Sequence, residues 1–300
     1  MCFNSPLVKG DKGVVIKTMF KILQKQSLAP KVDMMVIDAP YIARHAKPGN
    51  FIILRLNEKG ERIPLTIADS DSEKGTITIL FQKMGKTTEA LGMLKAGKSI
   101  RDIAGPLGHP TPIQNYGSCV LVGGGIGSAT LYPIIKALKE SGNHTTLILG
   151  ARTKELLIWE EKLKKYADDF LIATDDGSSG RKGFVTDVLR DVISQKSVNL
   201  VVAVGPIRMM RAVSELTKPH TIKTIVSLNS LMVEGTGMCG ACRVTIAGKT
   251  MFTCADGPEF DGHNVDFQEL ENRLGFYKEE EAEAYRLFMS KGSRGQGVKG

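Results

Sequence analysis

The chain has few of the features that mark membrane-spanning, secreted or nucleic-acid-binding proteins. Aromatic residues make up only 6% of it, with a single Trp, which leaves few platforms on which nucleobases could stack. The longest apolar stretch, from Cys119 to Ile135, is interrupted by glycines and a proline, so it is not a spanning helix. The first residues lack the apolar core of a signal peptide. We therefore expect a cytoplasmic protein with neither a nucleic-acid nor a membrane partner.

Cysteine is also scarce, and its count of five is odd. A disulfide framework is excluded, which agrees with a reducing compartment. Hydrophobic residues reach 42%, as in a globular protein with a core, and 300 residues allow about two domains. Much of the net charge of +8 comes from lysines and arginines in residues 1–18 and 291–300. Both polar, glycine-bearing ends are predicted to be disordered, so the charge does not indicate an acidic partner.

Residues 19–113 show short β-type segments that Gly and Pro turns separate. Such spacing predicts a barrel or sandwich, interrupted by one helix over about Thr88–Leu94. The candidate strands are Phe20–Gln26, Val32–Asp38, Asn50–Leu56, Arg62–Ala68, Thr76–Gln82 and Ser99–Ala104.

Strands and helices alternate in residues 114–228, which predicts a doubly wound parallel sheet. The strands are predicted at Ser118–Val122, Thr145–Leu149, Phe170–Thr174, Leu200–Val204 and Thr224–Ser227. The helices are predicted at Ser128–Lys139, Lys154–Tyr166, Val185–Ile193 and Met209–Leu216. A glycine-rich lobe follows over 229–265, with short strands at Arg243–Ile246 and Thr250–Thr253, and then an acidic helix over Phe267–Met289 within residues 266–290.

A glycine turn lies between the first strand and the first helix of the α/β segment. Its residues are Gly123, Gly124, Gly125, Ile126 and Gly127, followed by Ser128 where the dinucleotide fingerprint has Gly or Ala. Glycines there let the backbone approach a pyrophosphate at a helix N-terminus, although a purely structural turn remains the alternative.

Two later strands end at the same carboxyl edge of the predicted sheet, where α/β sheets bind ligands. Gly150 and Arg152 end one of them and Gly205-Pro206 the other. We expect a ribose or phosphate near Gly150 and Arg152, with a surface role for Arg152 as the alternative.

Three of the cysteines form the spacing C-x2-C-x11-C at Cys239, Cys242 and Cys254. Thiolates with two residues between them in a glycine loop can reach one metal centre. In plant-type iron–sulfur spacing the remaining ligand position is Glu234, whose carboxylate can ligate. A zinc site, with His263 as its fourth ligand, and ordinary buried cysteines are the alternatives. Cys119 lies in an apolar strand and is expected in the core, and Cys2 has no expected role.

Two further segments of the barrel region carry groups that suit a nucleotide cofactor. Arg62 can pair with a pyrophosphate and Thr66 can hydrogen-bond a ring nitrogen. Gly85, Thr87 and Thr88 can surround a phosphate where the short helix begins.

The order of these motifs resembles the ferredoxin-reductase-type flavoproteins with a C-terminal [2Fe-2S] lobe. That family includes the electron-transfer subunits of dihydroorotate dehydrogenase and the small subunits of NADH-dependent ferredoxin:NADP+ oxidoreductase (sulfide dehydrogenase), which the chain resembles most. The resemblance covers about Met19 to Leu287. It is carried by Glu61–Asp69 (ERIPLTIAD), Val122–Gly127 (VGGGIG), Gly235–Arg243 (GTGMCGACR) and Cys254–His263 (CADGPEFDGH).

The resemblance implies an FAD-binding β-barrel over 19–113, an NAD-binding α/β domain over 114–228 and a [2Fe-2S] lobe over 229–265. By position, Gly123–Gly127 would contact NAD(H). The residues that would contact FAD are Arg62, Pro64, Leu65, Thr66, Leu80, Phe81, Gln82, Gly85, Thr87 and Thr88.

Three positions depart from the family pattern. Leu65 stands where many relatives have an aromatic residue, and Val204 stands where many ferredoxin reductases have Cys. Glu234 stands at the first cluster-ligand position, where dihydroorotate-type subunits have Cys and the ferredoxin:NADP+ type usually has Asp. The acid favours the ferredoxin:NADP+ type.

The cofactor set predicts an electron-transfer subunit that passes electrons among NAD(H), FAD and the [2Fe-2S] cluster. Its expected partner is a larger flavin/iron–sulfur subunit in a heterodimer or higher assembly, and no separate set of catalytic side chains is predicted. One alternative is the electron-transfer subunit of dihydroorotate dehydrogenase. The other is a non-catalytic assembly or binding module.

Overall fold

The computed structural model describes residues 7–9, 15–17 and 19–294. The disordered ends predicted for 1–18 and 291–300 lie largely outside these residues. The described part of residues 1–18 consists of the strands β1 (Leu7–Lys9) and β2 (Val15–Lys17). They form an antiparallel pair, in which Val8 lies opposite Ile16. The last helix continues to Arg294, beyond the predicted end at 290.

The first domain is a barrel of two antiparallel sheets. Its five-stranded sheet has the order β7-β8-β4-β3-β9 and its three-stranded sheet the order β10-β5-β6. Thr and Ile alternate at the start of β8, and the side chains of Ile77 and Ile79 are completely buried in the barrel core. The strands are β3 (Phe20–Ala29), β4 (Val32–Asp38), β5 (Phe51–Arg55), β6 (Arg62–Thr66), β7 (Asp69–Asp71), β8 (Thr76–Gln82), β9 (Ser99–Ile100) and β10 (Asp102–Leu107).

Two helices interrupt the barrel strands. Helix α1 (Pro40–His45) was missing from the sequence prediction, because its six residues show no helical period of their own. It begins with Pro40, which suits a first helical turn, and buries Ile42 and Ala43. Helix α2 (Lys86–Met93) lies close to the predicted position.

The second domain is the predicted doubly wound sheet. Six parallel strands have the order β14-β13-β12-β11-β15-β16, so the order reverses between β11 and β15. The strands are β11 (Ser118–Gly124), β12 (His144–Ala151), β13 (Asp169–Thr174), β14 (Arg181–Lys182), β15 (Leu200–Val204) and β16 (Lys223–Ser227). The helices are α3 (Gly127–Glu140), α4 (Glu160–Lys164), α5 (Val185–Gln195) and α6 (Ile207–Thr217).

One helix of this domain differs from its prediction. The segment predicted as a helix over Lys154–Tyr166 has a 3-10 turn at Lys154–Leu156 and then α4. The two are separated at Trp159, whose φ of +57° is left-handed. The helical period in the sequence does not reveal this break, because Ile158 is held by tertiary packing.

The C-terminal segment contributes to the sheet of the second domain. Its strand β19 (Glu259–Asp261) pairs antiparallel with β16 as the seventh strand. A separate hairpin is formed by β17 (Arg243–Ile246) and β18 (Lys249–Phe252). The single helix predicted over Phe267–Met289 is two helices, α7 (Phe267–Leu274) and α8 (Lys278–Arg294), because α7 ends at Gly275. Among the described residues, no helix combines the length and hydropathy that crossing a bilayer requires.

The barrel contacts both other units. Val32, Ala68 and Leu80 of the barrel form one apolar cluster with Ala129 and Ile158 of the α/β domain. The C-terminal lobe packs against the barrel through a second cluster. Its buried members are Phe51, Ile53, Met232, Cys242 and Cys254.

Gly127 is required where α3 follows β11. A Cβ at this position would lie 2.3 Å from the Val204 carbonyl oxygen and 2.9 Å from the Gly205 Cα, both of them backbone atoms. We expect Gly127→Ala to lower the free energy of unfolding by about 1–3 kcal/mol, as overpacking does. Denaturant unfolding measures it. Gly85→Ala is the control, because a Cβ at Gly85 would meet no atom within 4 Å, and equal stability of the two variants would contradict the prediction.

Glu259 carries a buried carboxyl group at the junction of the three units. The Thr111 hydroxyl donates to its Oε1 at 2.7 Å, while Oε2 is buried and has no partner among the described residues. Burial raises the pKa of Glu259 from 4.5 to about 7, against the opposing effect of the Thr111 hydrogen bond. The protonated form is therefore favoured by folding. This stabilisation is complete below about pH 4.5 and is lost as the pH rises through 7.

We expect Glu259→Gln to remove this pH dependence. The Tm of the variant, relative to that of the unchanged protein, should rise between pH 5.5 and pH 8, by the equivalent of about 2 kcal/mol at most. Thermal unfolding across this pH range measures it. Glu279→Gln, on the exposed face of α8, is the matched control and should follow the unchanged protein. Parallel Tm profiles for Glu259→Gln and the unchanged protein would refute the assignment.

Candidate cofactor sites

The predicted dinucleotide turn lies at the carboxyl edge of the parallel sheet, where the strand order reverses. Gly125 has a φ of +55°, which favours glycine, and its N–H donates to the Gly150 carbonyl at 2.9 Å. A Cβ on Gly205 would lie 3.0 Å from the Gly124 Cα. The structure thus brings the predicted glycines of β11, β12 and β15 to one edge.

These glycines do not all leave space for a ligand. A Cβ on Gly123 would press on α3 at the Ser128 Cα, 3.1 Å away, and one on Gly150 would lie 2.3 Å from Val185 Cγ1 of α5. These two positions therefore serve the packing of helices on the sheet. Gly125 alone in the turn has open space around it. It is consequently the position at which a pyrophosphate could approach the backbone.

The other predicted groups of this site differ in exposure. Arg152 is exposed just beyond β12, so its guanidinium is accessible to a phosphate. Pro206 precedes α6 at the end of β15. Ile126 packs against the apolar cluster shared with the barrel, so its side chain joins the two domains.

The predicted flavin strand β6 lies next to β5, with Pro64 opposite Ile53 and Leu65 opposite Ile52. Arg62 is exposed at the start of β6, and the side chains from Ile63 to Thr66 are half-buried. They can therefore contact a ligand on the barrel surface.

The predicted flavin residues of β8 are mostly inside the protein. Phe81 is buried in the barrel core and Leu80 in the cluster between barrel and α/β domain, whereas Gln82 is half-buried. The ring of Phe81 is accordingly a core side chain, and Gln82 is the one of the three with an accessible polar group.

The start of α2 lies beside a carboxylate for which the sequence predicted no role. Glu61 accepts hydrogen bonds from the Thr87 hydroxyl and, at 3.0 Å, from Lys86 Nζ. The Thr87 hydrogen bond is the main reason that the pKa of Glu61 is lowered. Thr88 caps the helix instead, and its hydroxyl oxygen accepts from the Gly85 N–H at 3.1 Å. Glu61 thus lies at the predicted phosphate position, and its place as the first residue of the ERIPLTIAD motif was the available signal.

Two of the four predicted cluster ligands meet in the structure. Cys242 and Cys254 are buried with their Sγ atoms 3.1 Å apart. Burial, together with the Cys242 thiol, raises the pKa of Cys254 to about 12, while the Gly237 N–H donates to its sulfur. Cys239 is exposed and Glu234 half-buried on the same loop. Within the described part of the chain, no three His, Cys, Asp or Glu side chains form a metal-ready group.

The donor set nevertheless fits an iron–sulfur cluster. Such clusters are held by cysteine thiolates and tuned by backbone N–H groups that donate to sulfur, as Gly237 does to Cys254. Gly235 holds the loop against the barrel, since a Cβ there would lie 2.8 Å from Leu107 Cδ1 and 2.9 Å from Ile53 Cδ1. Binding of the cluster would bring Cys239 and Glu234 to the buried cysteine pair, because ordering of the ligands and binding of the metal are coupled.

His263, the fourth ligand of the zinc alternative, has a hydrogen-bond partner outside the cysteine loop. His263 Nε2 is hydrogen-bonded with Thr217 Oγ1 at 2.9 Å, on the side of α6. Cys119 is buried in β11, as expected, and burial raises its pKa to about 11. Cys2 lies outside the described residues.

Two family models match this chain. Residues 121–215 match the oxidoreductase NAD-binding domain, and residues 229–266 match the iron–sulfur cluster binding domain of dihydroorotate dehydrogenase B. The second match begins just after β16 and includes Glu234 and all three predicted cysteine ligands.

Whole-chain comparisons extend the likeness. A Thermotoga maritima protein named as an electron transfer subunit homolog of dihydroorotate dehydrogenase B (NAD(+)) is 48% identical over 90% of this chain and 95% of its own. The electron transfer subunit of Bacillus cereus strain G9842 is 32% identical, over 80% and 94%. A solved chain of an NADH-dependent reduced ferredoxin-NADP oxidoreductase, from a study of flavin-based electron bifurcation, has 46% identity and a TM-score of 0.86, over 91% and 98%.

These comparisons confirm the predicted fold class and the resemblance on which the electron-transfer function was predicted. They span the barrel, the α/β domain and the lobe together, so the likeness is not confined to one module. The chain therefore belongs to the oxidoreductase family of electron-transfer subunits related to that of dihydroorotate dehydrogenase B.

Proposed function

We propose that this subunit is itself redox-active: it passes electrons between NAD(H), FAD in the barrel and a [2Fe-2S] cluster in the cysteine loop. The supporting observation is the short structural path from the cysteines to the flavin strand. Ile53 packs in the same cluster as Cys242 and Cys254, and it lies opposite Pro64 of β6. Adjacent strands are about 4.8 Å apart, so one strand separates the cysteine pair from the flavin strand.

The residues of this chain bind and orient the cofactors. Arg62 and Thr66 would hold the flavin, while the open backbone at Gly125 and the exposed Arg152 would hold the nicotinamide dinucleotide. Glu234, Cys239, Cys242 and Cys254 are the proposed cluster ligands. When bound, the nicotinamide supplies hydride, the cluster carries single electrons, and the flavin exchanges both.

A larger flavin/iron–sulfur subunit is the proposed redox partner, in the cytoplasm. The cysteine loop has an apolar exposed edge, where Met238 is 80% exposed next to Cys239, and Leu231 and Val233 are also exposed. Exposed apolar side chains beside a redox site favour protein association there. A partner on this edge would receive electrons close to the cluster.

The ferredoxin:NADP+ type of complex is the first candidate. Glu234 at the first ligand position favours it, as does the whole-chain likeness to the solved NADH-dependent oxidoreductase chain. The dihydroorotate dehydrogenase type is the second candidate, favoured by the names of the curated relatives. Purification of the native complex distinguishes them through the identity of the large subunit and its flavin and iron content.

Anaerobic reduction tests the proposed activity. The reconstituted subunit should contain FAD and iron, and NADH should bleach its flavin absorption and support dye reduction. Cys242→Ser should abolish the [2Fe-2S] signal in electron paramagnetic resonance and retain the NADH-reducible flavin, because Cys242 is a proposed ligand of the cluster and belongs to neither nucleotide motif. The matched control Cys119→Ser changes a buried cysteine of β11 and should retain the cluster signal. A subunit without flavin, or one that NADH leaves oxidised, contradicts the proposal.

The ligand role of Glu234 has its own test. Glu234→Ala should weaken or shift the cluster signal in electron paramagnetic resonance, because a protein oxygen ligand is removed from one iron. Glu234→Cys should restore a strong signal with altered g-values, since thiolate is the usual ligand. Glu281→Ala, on an exposed position of α8, is the control. A spectrum that stays the same in Glu234→Ala would remove Glu234 from the ligand set.

A further inference from the structure

One charged side chain joins the barrel to the α/β domain, between the segments that carry the two predicted nucleotide motifs. Lys162 of α4 places its Nζ 2.7 Å from Asp69 Oδ2, at the start of β7. The same ammonium lies 3.9 Å from the ring centroid of Tyr132 and 4.0 Å from that of Trp159. We call these four residues the Lys162 cluster.

The Lys162 cluster links the two segments that carry the nucleotide motifs. Asp69 follows the flavin strand β6 after only Ile67 and Ala68, and it ends the ERIPLTIAD motif. Tyr132 lies on α3, the helix that begins at the dinucleotide turn. A shift of Lys162 therefore acts on both motifs through short, ordered segments.

The aromatic half of the Lys162 cluster is built by tertiary packing. The rings of Tyr132 and Trp159 meet edge to face with centroids 5.5 Å apart, and Tyr166 packs on the other side of Tyr132 at 5.7 Å. Trp159 adopts its left-handed φ of +57° directly before α4. Such a conformation is costly for a bulky residue and persists where its surroundings hold it. The position of Lys162, three residues later, is consequently well defined.

The apolar contact around the Lys162 cluster is shared by the barrel and the α/β domain. Its five buried members are surrounded by five partly buried side chains, Leu28, Ala29 and Met34 of the barrel and Ile126 and Trp159 of the α/β domain. Relative motion is the default between two domains of one chain, and polar contacts across their interface restrict it further than apolar packing alone. The Lys162 side chain is 34% exposed, and its ammonium contacts the faces of two aromatic rings and one carboxylate. It is thus the polar contact best placed to restrict the motion.

We propose that Lys162 is a positioning residue that fixes the α/β domain on the barrel in the orientation required for hydride transfer. The proposal rests on the proposed function. The transfer breaks a C–H bond of the reduced nicotinamide and forms an N–H bond on the oxidised flavin, so that two electrons and one proton move together. Its rate depends steeply on the approach of the two rings, and a misplacement of about 1 Å can cost about a hundredfold.

Lys162→Met tests this role in the full-length, cofactor-loaded protein. Stopped-flow reduction of the flavin by NADH should slow about tenfold or more, with an unchanged content of flavin and an unchanged cluster spectrum. In steady state kcat should fall more than KM rises, because Lys162 acts on orientation. Lys165→Met is the matched control, since Lys165 is exposed at the end of the same helix.

Two further variants separate positioning from folding. Asp69→Asn should slow the same step without removing the packed Lys162 stem, and Lys162→Arg should retain most of the rate because it preserves both the ion pair and the ring contacts. A double variant, Lys162→Met with Asp69→Asn, should be little slower than Lys162→Met alone if the pair acts as one unit. Rates in Lys162→Met and Asp69→Asn that equal those of Lys165→Met overturn the proposal.

Hydrogen exchange supplies a readout that does not depend on the redox reaction. In Lys162→Met, amides of residues 66–69 and 126–132 should exchange faster, because the contact between the two domains opens more often. Unchanged protection in these segments contradicts the positioning role. If NADH fails to reduce even the unchanged protein, the proposed function fails, and hydrogen exchange still decides the role of Lys162.

Discussion

The antiparallel pairing of β19 with β16 is the contact on which the arrangement of the three units depends. It places Phe260 opposite Val226 and Glu259 opposite Ser227, at the edge of the parallel sheet. The Leu228 N–H also donates to the Pro258 carbonyl at 2.8 Å. The chain therefore leaves the sheet after β16 and returns to the same strand, so the cysteine loop is closed at its base. Such closure lowers the entropy cost of ordering the loop against the barrel.

The closed loop brings the lobe into contact with both larger domains. Its cysteine pair packs on Phe51 and Ile53 of β5, while Glu259 accepts a hydrogen bond from Thr111, in the connection between barrel and sheet. The flavin strand β6 is the neighbour of β5. The position of the cysteines relative to that strand thus follows from strand pairing and apolar burial. It depends little on the conformation of the loop between them.

The parts of the fold that could be predicted from the sequence are those marked by a pattern within one short segment. Buried parallel strands are continuous apolar segments, as in Leu200–Val204, and the glycine turn and the C-x2-C spacing are contiguous motifs. The features it missed depend on distant contacts. Lys162 and Asp69 are 93 residues apart, and β19 is recognisable as a sheet strand only beside β16. Glu61 was missed for the same reason, because its role follows from Thr87 and Lys86 on another element.

The two contacts that the barrel makes have different chemistry, and the difference suits the two kinds of electron transfer. The contact with the lobe is apolar and buried, with Met232, Cys242 and Cys254 enclosed against β5, so it resists opening. The contact with the α/β domain combines an apolar cluster, in which Leu80 and Ile158 are buried, with the partly exposed ion pair of Lys162 and Asp69. A dinucleotide bound as proposed would have to enter and leave, whereas a cluster would remain in its lobe. A partly exposed ion pair separates at a lower free-energy cost than a fully buried contact, and under the proposal the ring contacts of Lys162 return the pair to the same orientation.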